Sequence, residues 1–408
     1  MAGVAVAWCR PALALLIAGL APAKARAQDR TQFAWWVDSL RVYVEGAIRL
    51  KFQHPPRYAL HTPAQISAYL QRQVERKLPP GRLDAVAAAY HLFGLLPDTI
   101  VFRRAVLDFH ETSIAGFYDP ETDTLYCRTG LGPAQLRETL THEMVHALQA
   151  QYVNLDSLVA PSRESDRAFA SKAVIEGQAM FATIRLLAGG RNVVAYTGVW
   201  NALVETVRLR TVATPRTRRI PLLLREGLIA PYLFGAQFMS AWQGYRWSDT
   251  IPFGRLMPQS SEQILHPERY AAGDQPVDLR FVDSAGRVRI EDVLGEFDLH
   301  LLEAQLAGAT SLGKIGVLGW GGDRYRVYET PAGPALVWYV VWDNPAAAAA
   351  FHAGAGARLE ARRRVGWRGL LERLEINRRP ATRYVWAPER WDRWERVPEV
   401  VIVESVGP

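Results

Sequence analysis

The chain has 408 residues, 49% of them hydrophobic and 22% charged, with a formal net charge of +7. That is enough length and apolar content for two domains with a sizeable core, and too mild a charge to suggest a nucleic-acid-binding tract. It has two cysteines, Cys9 and Cys127.

Residues 1–27 read as a secretory signal peptide. Arg10 precedes an apolar core from Pro11 to Ala23, and Ala25-Arg26-Ala27 offers a small-x-small cleavage site before Gln28. The apolar run is too short to span a membrane, and no later segment has about 18 uninterrupted apolar residues. Cleavage would remove Arg10, Lys24 and Arg26, lowering the charge from +7 to +4, and would leave Cys127 alone. An intramolecular disulfide is then excluded. The expectation is an exported protein, periplasmic or extracellular, with no stable membrane insertion.

From Phe33 to about Leu95 the spacing predicts helices. Phe33, Trp36, Val37, Leu40 and Val44 form an apolar stripe, Thr62-Pro63 opens a second helix, and a third runs from about Leu83 to Phe93. His54, His61 and His91 are isolated and predict no ligand role. Gly116 to Cys127 reads as a β-hairpin, two aromatic-rich strands around Asp119-Pro120 and Asp123-Thr124. Its position just before the next helix suits an edge that pairs with an extended substrate. Cys127 reads as a buried structural thiol.

The next helix carries His142-Glu143-Met144-Val145-His146, an H-E-x-x-H motif. On a helix, positions i and i+4 lie one above the other, so both imidazoles can face one cation. Glu143 stays close enough to take a proton from metal-bound water. Pro133 suits the first helical position, and Leu136, Leu140, Met144, Val145 and Leu148 form the buried stripe. Gln149 and Tyr152 stand where the metzincin extension needs Gly and His, which excludes that class.

A catalytic zinc usually has three protein ligands. Glu176 is the better candidate for the third, because a lone Glu among Val174, Ile175, Gly177 and Ala179 is costly to bury unless paired or metal-bound. Glu164, in the polar run Pro161–Arg167, is its rival. After an Arg-rich stretch, Arg208–Arg219, Tyr232 and His266 are candidate donors to a developing oxyanion. The alternatives are that Tyr232 packs a helix and His266 caps a turn.

From about Glu291 a helix through Leu294, Phe297, Leu301 and Leu302 leads to Gly319-Trp320-Gly321-Gly322-Asp323-Arg324. That run lacks the Lys-Ser/Thr of a phosphate loop and reads as a tight turn. Strands at Tyr325–Glu329 and Ala335–Asp343, an Ala-rich helix at Pro345–Ala357, and strands near Arg383–Trp386 and Glu399–Glu404 complete an α+β unit.

Several stretches together resemble a family of exported bacterial proteins described as zinc metallopeptidases of the gluzincin type. They are Ala115–Cys127, Leu140–Gln151, Ala173–Ala179, Pro231–Phe238, Ser260–Tyr270, Gly319–Tyr325 and Trp342-Asp343. The resemblance implies zinc ligands at His142, His146 and Glu176, with Glu143 as base. Such families often have Asp where Gln178 stands, and the thermolysin-like pattern puts Asp where Met180 stands, so no carboxylate orienting a ligand His is identifiable.

The resulting expectation is an α+β protein: signal peptide 1–27, helical region 28–115, a mostly helical zinc metallopeptidase core 116–275 with a short β-hairpin, and an α+β domain 276–408. Its function would be hydrolysis of peptide or protein substrates with Zn2+ as cofactor. The alternatives are a non-catalytic zinc-stabilised envelope protein, or a cell-wall peptide amidase or aminopeptidase.

Overall fold

A computed structural model describes residues 30–77, 80–105, 115–160, 162–211, 220–245, 250–283, 286–313 and 315–403. The expected signal peptide and the end of the Arg-rich stretch, 212–219, lie outside them.

The apolar stripe of α1 (Arg30–Ile48) packs Phe33, Val37, Leu40, Val44 and Ile48 against the His-motif helix. After it come β1 (Arg57–His61), α2 (Pro63–Lys77) and α3 (Pro80–Phe93). Thr62 and Gln65 start α2 by capping one another: the Thr62 N–H donates to Gln65 Oε1 at 2.8 Å, and the Gln65 N–H to Thr62 Oγ1 at 3.3 Å. The hairpin forms as β2 (Gly116–Asp119) and β3 (Thr124–Arg128). The reading of 28–115 as helical needs one correction. β1 pairs in parallel with β3, giving a sheet of order β1-β3-β2.

Next come α4 (Pro133–Ala150), the short α5 (Leu155–Leu158), α6 (Ser165–Leu187), α7 (Thr197–Thr211) and α8 (Leu222–Trp242). The stripe foreseen on α4 is buried against α1 and β3. Helices α6 and α8 cross with backbone almost touching backbone. A Cβ on Gly177 would lie 2.1 Å from the Gly235 carbonyl carbon, and one on Gly235 would lie 1.9 Å from the Ala173 oxygen. Only glycine fits at this crossing.

Two short helices, α9 (Ser261–Leu265) and α10 (Pro267–Ala272), lead through β4 (Asp278–Phe281) and β5 (Arg287–Asp292) to α11 (Gly295–Leu306). The chain then forms β6 (Trp320–Glu329), β7 (Ala335–Trp342), α12 (Pro345–Phe351), α13 (Ala357–Glu360), β8 (Trp367–Ile376), β9 (Arg379–Pro388) and β10 (Val400–Val403). Antiparallel pairing gives one sheet of order β5-β6-β7-β9-β8, and β4 pairs with β10.

The architecture is α+β. Along β7 the two-residue period decides what packs where. Leu336, Trp338, Val340 and Trp342 join the core shared with α3, α6, α8 and α11, while Ala335, Val337, Tyr339 and Val341 join Leu279, Phe281 and Trp391 on the other face. Gly319–Arg324 is not the tight turn expected. From Trp320 it runs into β6, with a register shift between Trp320 and Gly322. Asp323 anchors it by accepting from the backbone N–H groups of Leu294 and Gly295 and from the indoles of Trp320 and Trp338.

Candidate metal centre

His142 and His146 sit one turn apart on α4, and Glu176 faces them from α6. Each is at least 96% buried. The Nε2 atoms of the two histidines are 3.1 Å apart, and each is 3.2 Å from Glu176 Oε2. Ligands bound at 2.0–2.1 Å to one tetrahedral ion are separated by about 3.3 Å, so the triangle has nearly the size a small divalent ion requires. Among the described residues it is the one group of three or more His, Cys, Asp or Glu side chains with donor atoms within 4.8 Å of one another. Two imidazoles and one carboxylate suit zinc or a neighbouring first-row ion, with coordination positions left over.

The electrostatics follow from burial and proximity. Burial alone would raise Glu176, but the charge of His146, hydrogen bonds from both histidines and the Lys172 charge hold it well below the usual carboxylate range. His142 is lowered by burial, only partly offset by Glu176. Burial also works against charge on His146, yet Glu176, Glu143 and Gln149 together lift it above its ordinary value. Glu143 is fully buried beside this pair. Burial and the charge of Glu143 push the Cys127 thiol up, which keeps it protonated among apolar neighbours and fits a structural thiol.

The structure brings Tyr232 to the centre. From α8 its ring stacks on His142 at 5.8 Å between centroids, 24° from parallel. His266 is engaged elsewhere, at the junction of α9 and α10, where Nε2 is 3.0 Å from Glu296 Oε2 and Nδ1 is 3.8 Å from Glu268. The closer pair is near in distance but not aligned as a hydrogen bond. Glu164 pairs with Arg324, which also meets Asp278 at 2.9 Å and Glu291 at 3.3 Å. Of the two rivals, only Glu176 reaches the histidines. His54, His61 and His91 have local partners: Asp123, the Tyr126 ring, and the Leu96 carbonyl.

Sequence reasoning used Gln149 only to exclude a class, yet it is part of the site. It is fully buried, with Oε1 3.0 Å from His146 Nδ1, and its Nε2 donates to the Ile175 carbonyl at 3.1 Å and to Gln178 Oε1 at 2.8 Å. The available signal was its place three residues beyond His146, on the same face of the helix.

Residues 286–403, from the start of β5 to the end of β10, match the model of a family described as a domain of unknown function, DUF8575. The His142, His146 and Glu176 group lies outside that match. Comparisons with curated proteins and with solved structures found no match.

Proposed function

We propose that the protein is a zinc-dependent metallopeptidase, exported through its N-terminal segment and acting on peptide or protein substrates. The observation that carries this reading is the convergence of His142 Nε2, His146 Nε2 and Glu176 Oε2, with Glu143 on the same helical turn. The donor set fits zinc, and His142, His146 and Glu176 would hold it. Zinc bound there supplies a Lewis acid and a water acidified toward neutral pH.

The chain's own residues divide the remaining work. Glu143 is the proton acceptor, with a carboxylate held beside His146 and away from bulk water. Tyr232 keeps the His142 ring in place by stacking, and its hydroxyl is the candidate donor to charge developing on a substrate oxygen. No helix among the described residues is long and apolar enough to cross a membrane.

The test is metal content and peptidase activity measured together on wild type, Glu176→Ala and Glu143→Gln. One zinc per wild-type chain, lost in Glu176→Ala, supports the ligand set. Glu143→Gln should retain zinc and lose about 10²–10⁴ in rate, the usual weight of a general base. A folded, zinc-loaded Glu143→Gln protein as active as wild type refutes the peptidase mechanism.

A second reading, a non-catalytic zinc-stabilised envelope protein, draws on the depth of the site. His142, Glu143, His146 and Glu176 are all at least 96% buried, as in a closed structural centre. Zinc that raises the melting temperature of a wild type inert toward broad peptide libraries supports it.

A further inference from the structure

We propose that Gln149 is a positioning residue for the metal centre, its amide fixing the tautomer of His146 so that the Nε2 lone pair faces the donor triangle. The inference rests on the metal-centre reading above and concerns how this chain prepares one ligand.

The orientation of the amide is dictated by its surroundings. Gln149 Nε2 lies 3.1 Å from the Ile175 carbonyl oxygen, which can only accept, and 2.8 Å from Gln178 Oε1. Turning the amide over would set its oxygen against the Ile175 oxygen, two acceptors in contact at a fully buried position. Oε1 therefore faces His146 Nδ1, and that 3.0 Å contact requires the proton on Nδ1. A neutral imidazole carries one N–H. In the neutral form that binds a metal, Nε2 is then left with its lone pair, 3.1 Å from His142 Nε2 and 3.2 Å from Glu176 Oε2, and the proton that otherwise bridges Nε2 to Glu176 is the one a metal displaces.

The same side chain also couples two helices. Ile175 and Gln178 flank Glu176 on α6, so the amide that orients His146 ties α4 to the segment presenting the third ligand. Histidine ligands are commonly oriented by a carboxylate, a backbone carbonyl or water. Here a neutral amide does so, directing the ring without adding charge. His142 is held differently, by the face of Tyr232.

The experiment measures zinc dissociation constants by competition with a chromophoric chelator, on the full chain of wild type, Gln149→Leu, Gln149→Glu and Gln178→Leu. Gln149→Leu should weaken zinc about 10–100-fold, the usual cost of losing such a partner. Gln149→Glu keeps an acceptor on Nδ1, with a protonated carboxyl donating to the Ile175 carbonyl in place of the amide N–H, and should hold affinity within about fivefold. In cobalt-substituted protein, the visible absorption of Gln149→Leu should depart from wild type while that of Gln149→Glu follows it.

A folded Gln149→Leu protein with wild-type affinity and cobalt spectrum overturns the proposal. So does Gln149→Glu as weak as Gln149→Leu, which would make the role packing alone. If Gln149→Leu does not fold, Gln178→Leu decides: it removes one of the two anchors of the amide and should weaken zinc about three- to tenfold, and wild-type affinity there overturns the proposal. Wild type that binds no zinc removes the metal-centre reading itself, a failure distinct from the others.

Discussion

Gly177→Ala tests whether the helix crossing sets the geometry of the proposed metal centre. Gly177 follows Glu176, and its added Cβ would lie 2.1 Å from the Gly235 carbonyl carbon. Ordinary contact begins near 3.4 Å, so α6 and α8 must separate or rotate by roughly 1.3 Å. The obstacle is backbone on the facing helix, so no side chain can swing aside. Overpacking of this kind costs about 1–3 kcal/mol, a drop in melting temperature of about 4–8 °C for a 2 kcal/mol loss on the scaling for domains of 150–250 residues.

Glu176 moves with α6, and its Oε2 now sits 3.2 Å from both histidine nitrogens. A displacement of about 1 Å takes it out of reach of an ion bound at 2.0–2.1 Å by the other two. Zinc affinity should therefore fall by about tenfold or more, the lower end of what losing a supporting contact costs. Calorimetry of the metal-free protein and chelator competition read the two effects separately. A Gly177→Ala protein with unchanged melting temperature and zinc affinity would refute the close crossing and its link to the ligand.

Two further outcomes follow from the same structure. Burial, with Asp323 nearby, raises Asp166 to about 8. The native chain then holds a proton that the unfolded chain releases near its ordinary carboxylate value, so this group subtracts stability as pH rises from about 4 to 8. Asp166→Asn should melt like wild type near pH 4 and higher above pH 7, and an unchanged pH profile would show that Asp166 is ionised in the fold. Tyr232→Phe keeps the ring stacked on His142 and loses the hydroxyl. Zinc content should stay at wild-type level while the turnover number falls about 10²-fold, and an unaltered rate would leave Tyr232 a support for the ring only.

The legible parts of the chain were those where one short stretch carries its own physics. The H-E-x-x-H turn, the stripe at Leu136, Leu140, Met144, Val145 and Leu148, and a lone Glu176 among apolar neighbours each state a local requirement. What stayed hidden depends on partners far along the chain. β1 is five residues without alternation, made a strand by pairing with β3 more than sixty residues later. β8 contains Leu370, Leu371, Leu374 and Ile376 at spacings a helix would also accept, yet ten paired residues of β9 hold it extended. Gly319–Arg324 looked like a turn because its glycines outnumber its apolar residues, whereas the burial of Asp323 and Trp320 decides its state.

The glycine beside Glu176 shows how the two levels meet. In sequence it reads as a weak point in a helix, since glycine costs about 1 kcal/mol there relative to alanine. In the fold it lets α8 approach closely enough for Tyr232, three residues before Gly235, to stack on His142 while Glu176 faces both histidines. One crossing thus places groups from three helices around a single point: the His pair of α4, the carboxylate of α6 and the phenol of α8. Gln149 adds a polar tie from α4 to the stretch of α6 on either side of that carboxylate. The β5–β10 region that matches DUF8575 contributes none of these groups. Its sheet instead backs α6 and α8 with Tyr325, Trp338 and Trp342 in one core, while the α4 stripe packs with α1 and β3 in another, so the carboxylate and the His pair are brought together from two separately packed sides.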